Sequence, residues 1–371
     1  MYNNKFKSIR KWSSLPLLVF MLIFMVSCGG QKSEPETATT TNSSGSTDTT
    51  KNEDPTKTSR LDTVIKRGRL ICGVSGKLPG FSFVNEKGEY LGMDVDLCRA
   101  VAAALFDDPN KVEYRNLSSA QRFTALQTGE IDLLARNTTW TIDRDITLGM
   151  EFTPTTFYDA QGIMVSTDSG VKKLEQLQGK TICVKSGTTS EQNLSDQMSQ
   201  RKIKYTSVVI GDDDALYNSY AQGRCEAITA DRTQLIGRRA VLPDPQSHTI
   251  LDTVMSKEPL GPLVVDGDAA WFDTVKWVTY ALIQGEEFGI NSKNLNTFVD
   301  STNPDIKRFL GIESAFGETI GLPNDFAARV IKHVGNYGEI YDRNIGKPFD
   351  LDRGLNNLWT KGGLLYSPPF R

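Results

Sequence analysis

The chain has 371 residues, 39% hydrophobic and 23% charged, long enough for two or three domains around a substantial core. Its 42 basic and 45 acidic residues leave a net charge of −3, which excludes the strongly basic surface that a nucleic-acid partner would need. Two histidines, His248 and His333, and five cysteines without a CxxC pair speak against a zinc site, and no metal or cofactor is expected.

Residues 1–27 read as a signal peptide. Lys5, Lys7, Arg10 and Lys11 precede an apolar run over residues 15–26, which is short for a membrane span and contains Pro16. The run ends in Met25-Val26-Ser27-Cys28-Gly29-Gly30, a small-residue junction that resembles a bacterial lipobox. On that reading Cys28 is the lipidated first residue after cleavage; a plain signal peptide with a fortuitous cysteine is the alternative. Residues 28–60 then form a lipid-anchored, disordered tether. Between Gln31 and Arg60 nearly every residue is polar and Ala38 is almost the only apolar one, so the segment cannot bury enough surface to order itself. As a flexible coil its reach is about 30 Å.

Residues 69–74 (RLICGV) read as a buried strand opening into Ser75-Gly76-Lys77-Leu78-Pro79-Gly80-Phe81, followed by a turn at residues 85–88. Residues 91–106 form a helix with Asp94 and Asp96 near its start and Leu97, Val101, Ala104 and Leu105 as its inward stripe. A strand at 111–117, a helix at 120–127 stopped by Gly129, and a strand at 131–135 complete a βαβαβ order, which implies a parallel sheet covered by helices. Where that third strand should leave its sheet stand Arg136, Asn137, Thr138, Thr139, Trp140 and Thr141, then Asp143 and Arg144. Ligands of open α/β sheets sit at the carboxyl ends of strands, and a guanidinium fork fits a carboxylate. The stretch is therefore a candidate site for a small anion; a polar loop with a surface salt bridge is the alternative.

A second unit echoes the first. Residues 179–184 form a strand that opens into Ser186-Gly187-Thr188-Thr189-Ser190-Glu191 and a helix; strand 206–210, a helix through Tyr220 and strand 225–230 follow, ending at Asp231. ICGVSG in the first unit matches ICVKSG in the second, and GEIDLLARNT matches GRCEAITADRT, in the same order and role. Thr188 with Glu191 fits a capping box, while a glycine loop at a helix start also offers free N–H groups to a carboxylate. Asp231 fits either a helix N-cap or a ligand residue. Residues 152–163 pass directly between the units. Past Pro259-Leu260-Gly261-Pro262 come a strand at 263–265 and an apolar helix at 271–282. If these return to the first lobe, the two crossings form a hinge that permits closure. Residues 303–371 read as a mainly helical packing extension with Pro323 at a helix start.

Two motif imitations fail. Gly179-Lys180-Thr181 lacks the earlier glycine of a P-loop, with Leu174 in its place, and precedes its strand. Gly73-Val74-Ser75-Gly76 has Lys77 where a nucleophile elbow needs its second glycine.

Taken together, GRLICGVSGKLPGFSF, GMDVDLCRAVAAALF, RFTALQTGEIDLLARNTTWTIDRD, VKSGTTSEQNL, GRCEAITADRTQL, SKEPLGPLV and VGNYGEIYDRNIG resemble the periplasmic amino-acid-binding proteins of ABC transporters. These are bacterial solute-binding proteins of family 3, and the general L-amino-acid branch is the most similar. The resemblance covers residues 60–371. It implies a two-lobed α/β fold of type II, each lobe a parallel-rich sheet flanked by helices. Lobe 1 would take residues 61–158, lobe 2 residues 159–262, and residues 263–371 would return to lobe 1 and add a helical extension. The implied function is capture of free L-amino acids, broad and neutral or acidic, for delivery to a membrane permease, by a monomer without enzymatic activity. An amino-acid sensor and a cyclohexadienyl-dehydratase-like lyase are the alternatives on the same fold.

The resemblance also implies roles. Arg144 holds the ligand carboxylate with Asn137 and Thr139, Gly187, Thr188 and Thr189 form the second-lobe loop, and Asp231 binds the ammonium. Ser75 stands where members for basic amino acids often carry an acid, and Leu78 where members often carry an aromatic, which argues against strict Lys or Arg specificity. Phe81 and Trp140 are candidate wall residues, and Arg136 either meets an acidic side chain or makes an outward salt bridge. An even cysteine count in an exported domain favours disulfides. Cys72–Cys98 and Cys183–Cys225 each fall within one βαβ unit, the second pair on strands that neighbour in a 2-1-3 order; four buried free thiols are the alternative.

Overall fold

The computed structural model describes residues 58–371. The signal peptide, Cys28 and nearly all of the tether lie outside the described residues.

Each lobe is built on a five-stranded sheet whose three parallel strands, numbered along the sequence, take the order second, first, third. In lobe 1, Leu70–Val74 runs parallel to Val112–Asn116 on one side and to Leu133–Leu134 on the other. In lobe 2, Thr181–Lys185 is likewise flanked by Thr206–Ile210 and Ala227–Asp231. Both sheets then gain antiparallel neighbours. Leu263–Val265 joins lobe 1 between Leu133–Leu134 and Met150–Phe152, and Gln161–Ser166 with His248–Ile250 extends lobe 2. The return of residues 263–265 to lobe 1 is the second crossing that the sequence leaves conditional.

The two crossings are one structure. Phe157–Asp159 on the way out pairs antiparallel with Glu258–Leu260 on the way back. A two-stranded ladder joins the lobes, and a bend there can be shared by both strands.

Sequence pattern explains most elements and tertiary context corrects the rest. The third strand of lobe 1 spans only Leu133–Leu134. Buried Asp132 takes the Ile71 amide on its carboxylate at 2.8 Å, so a side chain stands in for a strand partner. The same carboxylate pairs with Arg60 and Arg67, which ties the first described helix, Arg60–Arg67, to the sheet. The helix Met93–Phe106 is buried well beyond its expected stripe, with Val95, Ala100, Ala102 and Ala103 all at 0% exposure, and Leu105 sits only at the margin of the core. The cause is the C-terminal extension. Phe326–Val334 lies along this helix, and alanine on the covered side lets the two approach closely. Phe370 completes the cover against Trp277 and Phe309, with ring centroids 5.2 Å away in each case.

Cys72 and Cys98 form a disulfide between the first strand and the helix over it. Cys183 and Cys225 form the second, inside lobe 2. Cys225 lies just before its strand, which begins at Ala227 and not at residue 225. Pro323 sits ahead of its helix, accepting from the Phe326 amide through its carbonyl. Among the described residues no helix is long and apolar enough to cross a membrane.

Candidate functional site

The strand ends of both lobes converge on one polar cavity. Lobe 1 supplies Ser75 and Leu78 after its first strand, then Arg136, Asn137, Thr139 and Arg144 after its third. Lobe 2 supplies Thr188, Thr189 and Ser190 at the start of the helix Thr189–Gln200, and Asp231 at the end of the strand Ala227–Asp231.

Arg144 is 7% exposed and its Nη1 donates to the Thr139 carbonyl at 2.7 Å. Its guanidinium lies over the Phe123 ring, 5.3 Å from the centroid. Burial lowers its pKa, and the Glu258 and Asp231 carboxylates oppose that shift. None of the ion pairs among the described residues uses Arg144, and the Thr139 carbonyl engages one nitrogen of its fork.

Asp231 occupies the N-cap position of the helix Arg232–Arg239 without making a side-chain capping bond. Its one side-chain contact is a long one, accepting from Asn137 Nδ2 at 3.5 Å across the cleft. Burial raises its pKa well above the ordinary carboxylate value, and the neighbouring Asp159 and Glu258 carboxylates add to the shift. Such a group gains most from an arriving cation. Asn137 holds a positive φ of 34°, with its amide donating to buried Asp94 at 2.9 Å.

Thr189 Oγ1 donates to Glu258 at 2.9 Å, and Thr139 Oγ1 donates to the same oxygen at 2.5 Å from the other lobe. The expected capping box does not form: Thr188 Oγ1 donates to the Lys185 carbonyl, and Glu191 accepts from the Gly187 amide. Arg136 points inward at 3% exposure, so the outward salt bridge does not form.

Three expected residues do not line the cavity. Gly187 instead abuts the Ala120 backbone of lobe 1 and offers its carbonyl to Arg122 at 3.5 Å. Phe81 is buried in the lobe 1 core, edge-on to Phe157 with centroids 5.2 Å apart. Trp140 is 41% exposed, stacked on Phe152, with its Nε1 donating to Asp145. Both aromatics serve packing outside the cavity.

The cavity also contains Ser119, Arg122, Lys185, Asp213 and Gln234, which sequence reasoning passes over. The first four lie at the βα junctions after other strands. The strand-end rule that singles out residues 136–144 applies to them equally.

Two α/β lobes, a two-stranded crossing and a polar cavity between strand ends define a periplasmic solute-binding protein of type II. The sequence matches the bacterial extracellular solute-binding proteins, family 3, over residues 70–308, and the chain belongs to that family. It is 50% identical over 315 residues to the general L-amino acid-binding periplasmic protein AapJ of Rhizobium johnstonii, covering 84% of this chain and 92% of that one. It is 48% identical over 316 residues to the glutamate/glutamine/aspartate/asparagine-binding protein BztA of Rhodobacter capsulatus, covering 84% and 94%. Among solved structures, a periplasmic binding protein from Brucella ovis with glutathione bound superposes with a TM-score of 0.83 at 46% identity, covering 85% of this chain and all of that one.

Proposed function

We propose that the protein is the substrate-binding component of an amino-acid ABC transporter, capturing a free L-amino acid in the cleft and delivering it to a membrane permease. The observation that carries this reading is the placement of Arg144 and Asp231 on opposite lobes of one cavity, neither of them in an ion pair among the described residues. A ligand α-carboxylate on Arg144 and its ammonium on Asp231 can both be held only when the lobes are together, so occupancy favours closure through its differential contacts. No bond is broken in this cycle.

The relatives support the ligand class: one is named for general L-amino acids and another for glutamate, glutamine, aspartate and asparagine. The neighbouring structure with glutathione carries a γ-glutamyl group, itself an amino acid at one end. The protein acts as a monomer in the periplasm or on the outer face of the cytoplasmic membrane, tethered through lipidated Cys28. Thermal-shift titration with all twenty amino acids tests the reading, since a ligand at 100 times its Kd stabilises the folded state by about 2.7 kcal/mol. Stabilisation by a set of L-amino acids, and not by their D-enantiomers, is the expected result. A flat response across the twenty would overturn it.

A further inference from the structure

One end of the cavity holds more positive charge than an amino-acid backbone can use. Arg122 and Arg136 are each 3% exposed and Lys185 6%, and all three line the cavity together with Arg144. Against these four cations the lining offers two carboxylates, Asp213 and Asp231. Lys185 pairs with Asp213 Oδ2, and no ion pair among the described residues uses Arg122 or Arg136. The charge of Asp94 also acts on Arg136, but that carboxylate is engaged by the Asn137 amide.

Hydrogen bonding at this end is incomplete as well. Arg136 donates through Nε to the Leu117 carbonyl at 2.8 Å, and the bonds of Arg122 to Thr138 and Gly187 are long, at 3.4 and 3.5 Å. Arg122 Nε, Ser119 Oγ and Asp213 Oδ1 are buried without a partner. Buried donors and acceptors left unmade are costly, and buried cations without counter-charge more so. An apolar ligand side chain would leave all of them as they are. A carboxylate would satisfy the cations.

We propose that Arg122, Arg136 and Lys185 form a side-chain subsite for the second carboxylate of an acidic L-amino acid, with Asp213 Oδ1 as the acceptor that admits the matching amide. The subsite rests on the amino-acid reading of the cleft. Once the zwitterion occupies Arg144 and Asp231, the remaining lining is Arg122, Arg136 and Lys185 against Asp213, a surplus of positive charge. Glutamate supplies the missing negative group. Glutamine supplies a carbonyl to the guanidinium groups and N–H groups to Asp213, gaining the acceptor but not the charge. Leucine supplies neither.

Calorimetric titration of the full-length protein with L-Glu, L-Gln and L-Leu tests the order. The parent is expected to bind Glu at least about 30-fold more tightly than Leu, with Gln between, on the scale of buried charge-assisted pairs. Arg136→Met should collapse the Glu-to-Leu ratio by about 30-fold, and Asp213→Asn should raise the Glu-to-Gln ratio by about fivefold. Arg136→Lys, which keeps the charge but not the fork, should fall between parent and Met variant and serves if the Met variant does not fold. A parent that binds Leu as tightly as Glu overturns the subsite while leaving amino-acid binding intact. So does a Met variant that weakens Glu and Leu alike. Binding of none of the three brings down the amino-acid reading itself.

Discussion

Glu258 stands opposite Asp159 in the ladder formed by the two crossings, and it is held by both lobes at once. Thr139 of lobe 1 and Thr189 of lobe 2 both donate to its Oε2, while Asn193 and Ser256 donate to Oε1. A carboxylate in the hinge therefore ties the floor of the cleft together.

Glu258→Ala should remove that tie. Hydrogen bonds to a charged group are worth about 1.5–3 kcal/mol each, though the released hydroxyls can find new partners. The expected result is a stability loss of about 2–4 kcal/mol by urea titration and an affinity loss of about tenfold shared by every ligand. A variant that closes and binds like the parent would show that the tie is incidental.

Arg144→Ala and Asp231→Ala should each weaken binding by at least about thirtyfold, for Gln, Leu and Glu alike, because truncation leaves the ligand's opposite charge buried and unpaired. The measurement is calorimetry with the three ligands. Retention of parental Leu affinity by Arg144→Ala would move the carboxylate site elsewhere.

The buried carboxylates set a pH dependence whose sign is fixed by burial. Desolvation raises Asp94 to about 7 and Asp159 to about 6, both above the ordinary 3.8. Each favours the folded state fully below that ordinary value, and the contribution is lost as pH rises through about 6 for Asp159 and about 7 for Asp94. The ligand-free protein should thus lose melting temperature from pH 5 to 8 in the part of the profile that Asp94→Asn and Asp159→Asn flatten. Asp231 is also raised, so ammonium binding should release a proton and strengthen with rising pH. Calorimetry in buffers of different ionisation enthalpy reads that proton directly; uptake in place of release would contradict the assignment.

Each disulfide lies within one lobe, closing 26 and 42 residues of sequence separation. Loops of this size stabilise by about 3–4 kcal/mol on a chain-entropy account. Replacing Cys72 and Cys98 together by Ala, or Cys183 and Cys225, should lower the urea midpoint accordingly while changing Kd by less than about threefold, because neither bridge spans the hinge. A large affinity loss at unchanged stability would place a bridge in the closing movement.

Cys28 should carry the lipid. Intact mass of the mature protein from membranes should show an acylated N-terminal cysteine, and Cys28→Ser should shift the protein to the soluble periplasmic fraction. A mature chain starting elsewhere without acyl groups would remove the anchor.

The fold was largely legible because both βαβ units carry short apolar strands with turn residues at their ends, and the cysteines mark strand and helix positions that can meet. Burial of the helix Met93–Phe106 on almost every side was not. That depends on Phe326–Val334, more than two hundred residues away, and an Ala-rich face looks the same whether it meets water or a helix. The site was legible where one strand end gathers many donors, as at residues 136–144. Arg122, Lys185 and Asp213 are not legible together because they come from the ends of three different strands and only the cleft collects them. Phe81 and Trp140 are aromatics close to the site in sequence, yet an aromatic gains as much from a core partner such as Phe157 or Phe152 as from a ligand.

The double crossing also sets an order of assembly. The sheet of lobe 2 lies within one continuous stretch, from Gln161 to Ile250, whereas lobe 1 needs Leu263–Val265 and the cover that ends at Phe370. In a chain that emerges amino end first, the second lobe can therefore finish while the first waits half-built. During that wait the helix Met93–Phe106 has no Phe326–Val334 to cover it, and its Ala-rich face stands open to solvent. The intermediate this order allows is an unfinished first lobe carried by a finished second one.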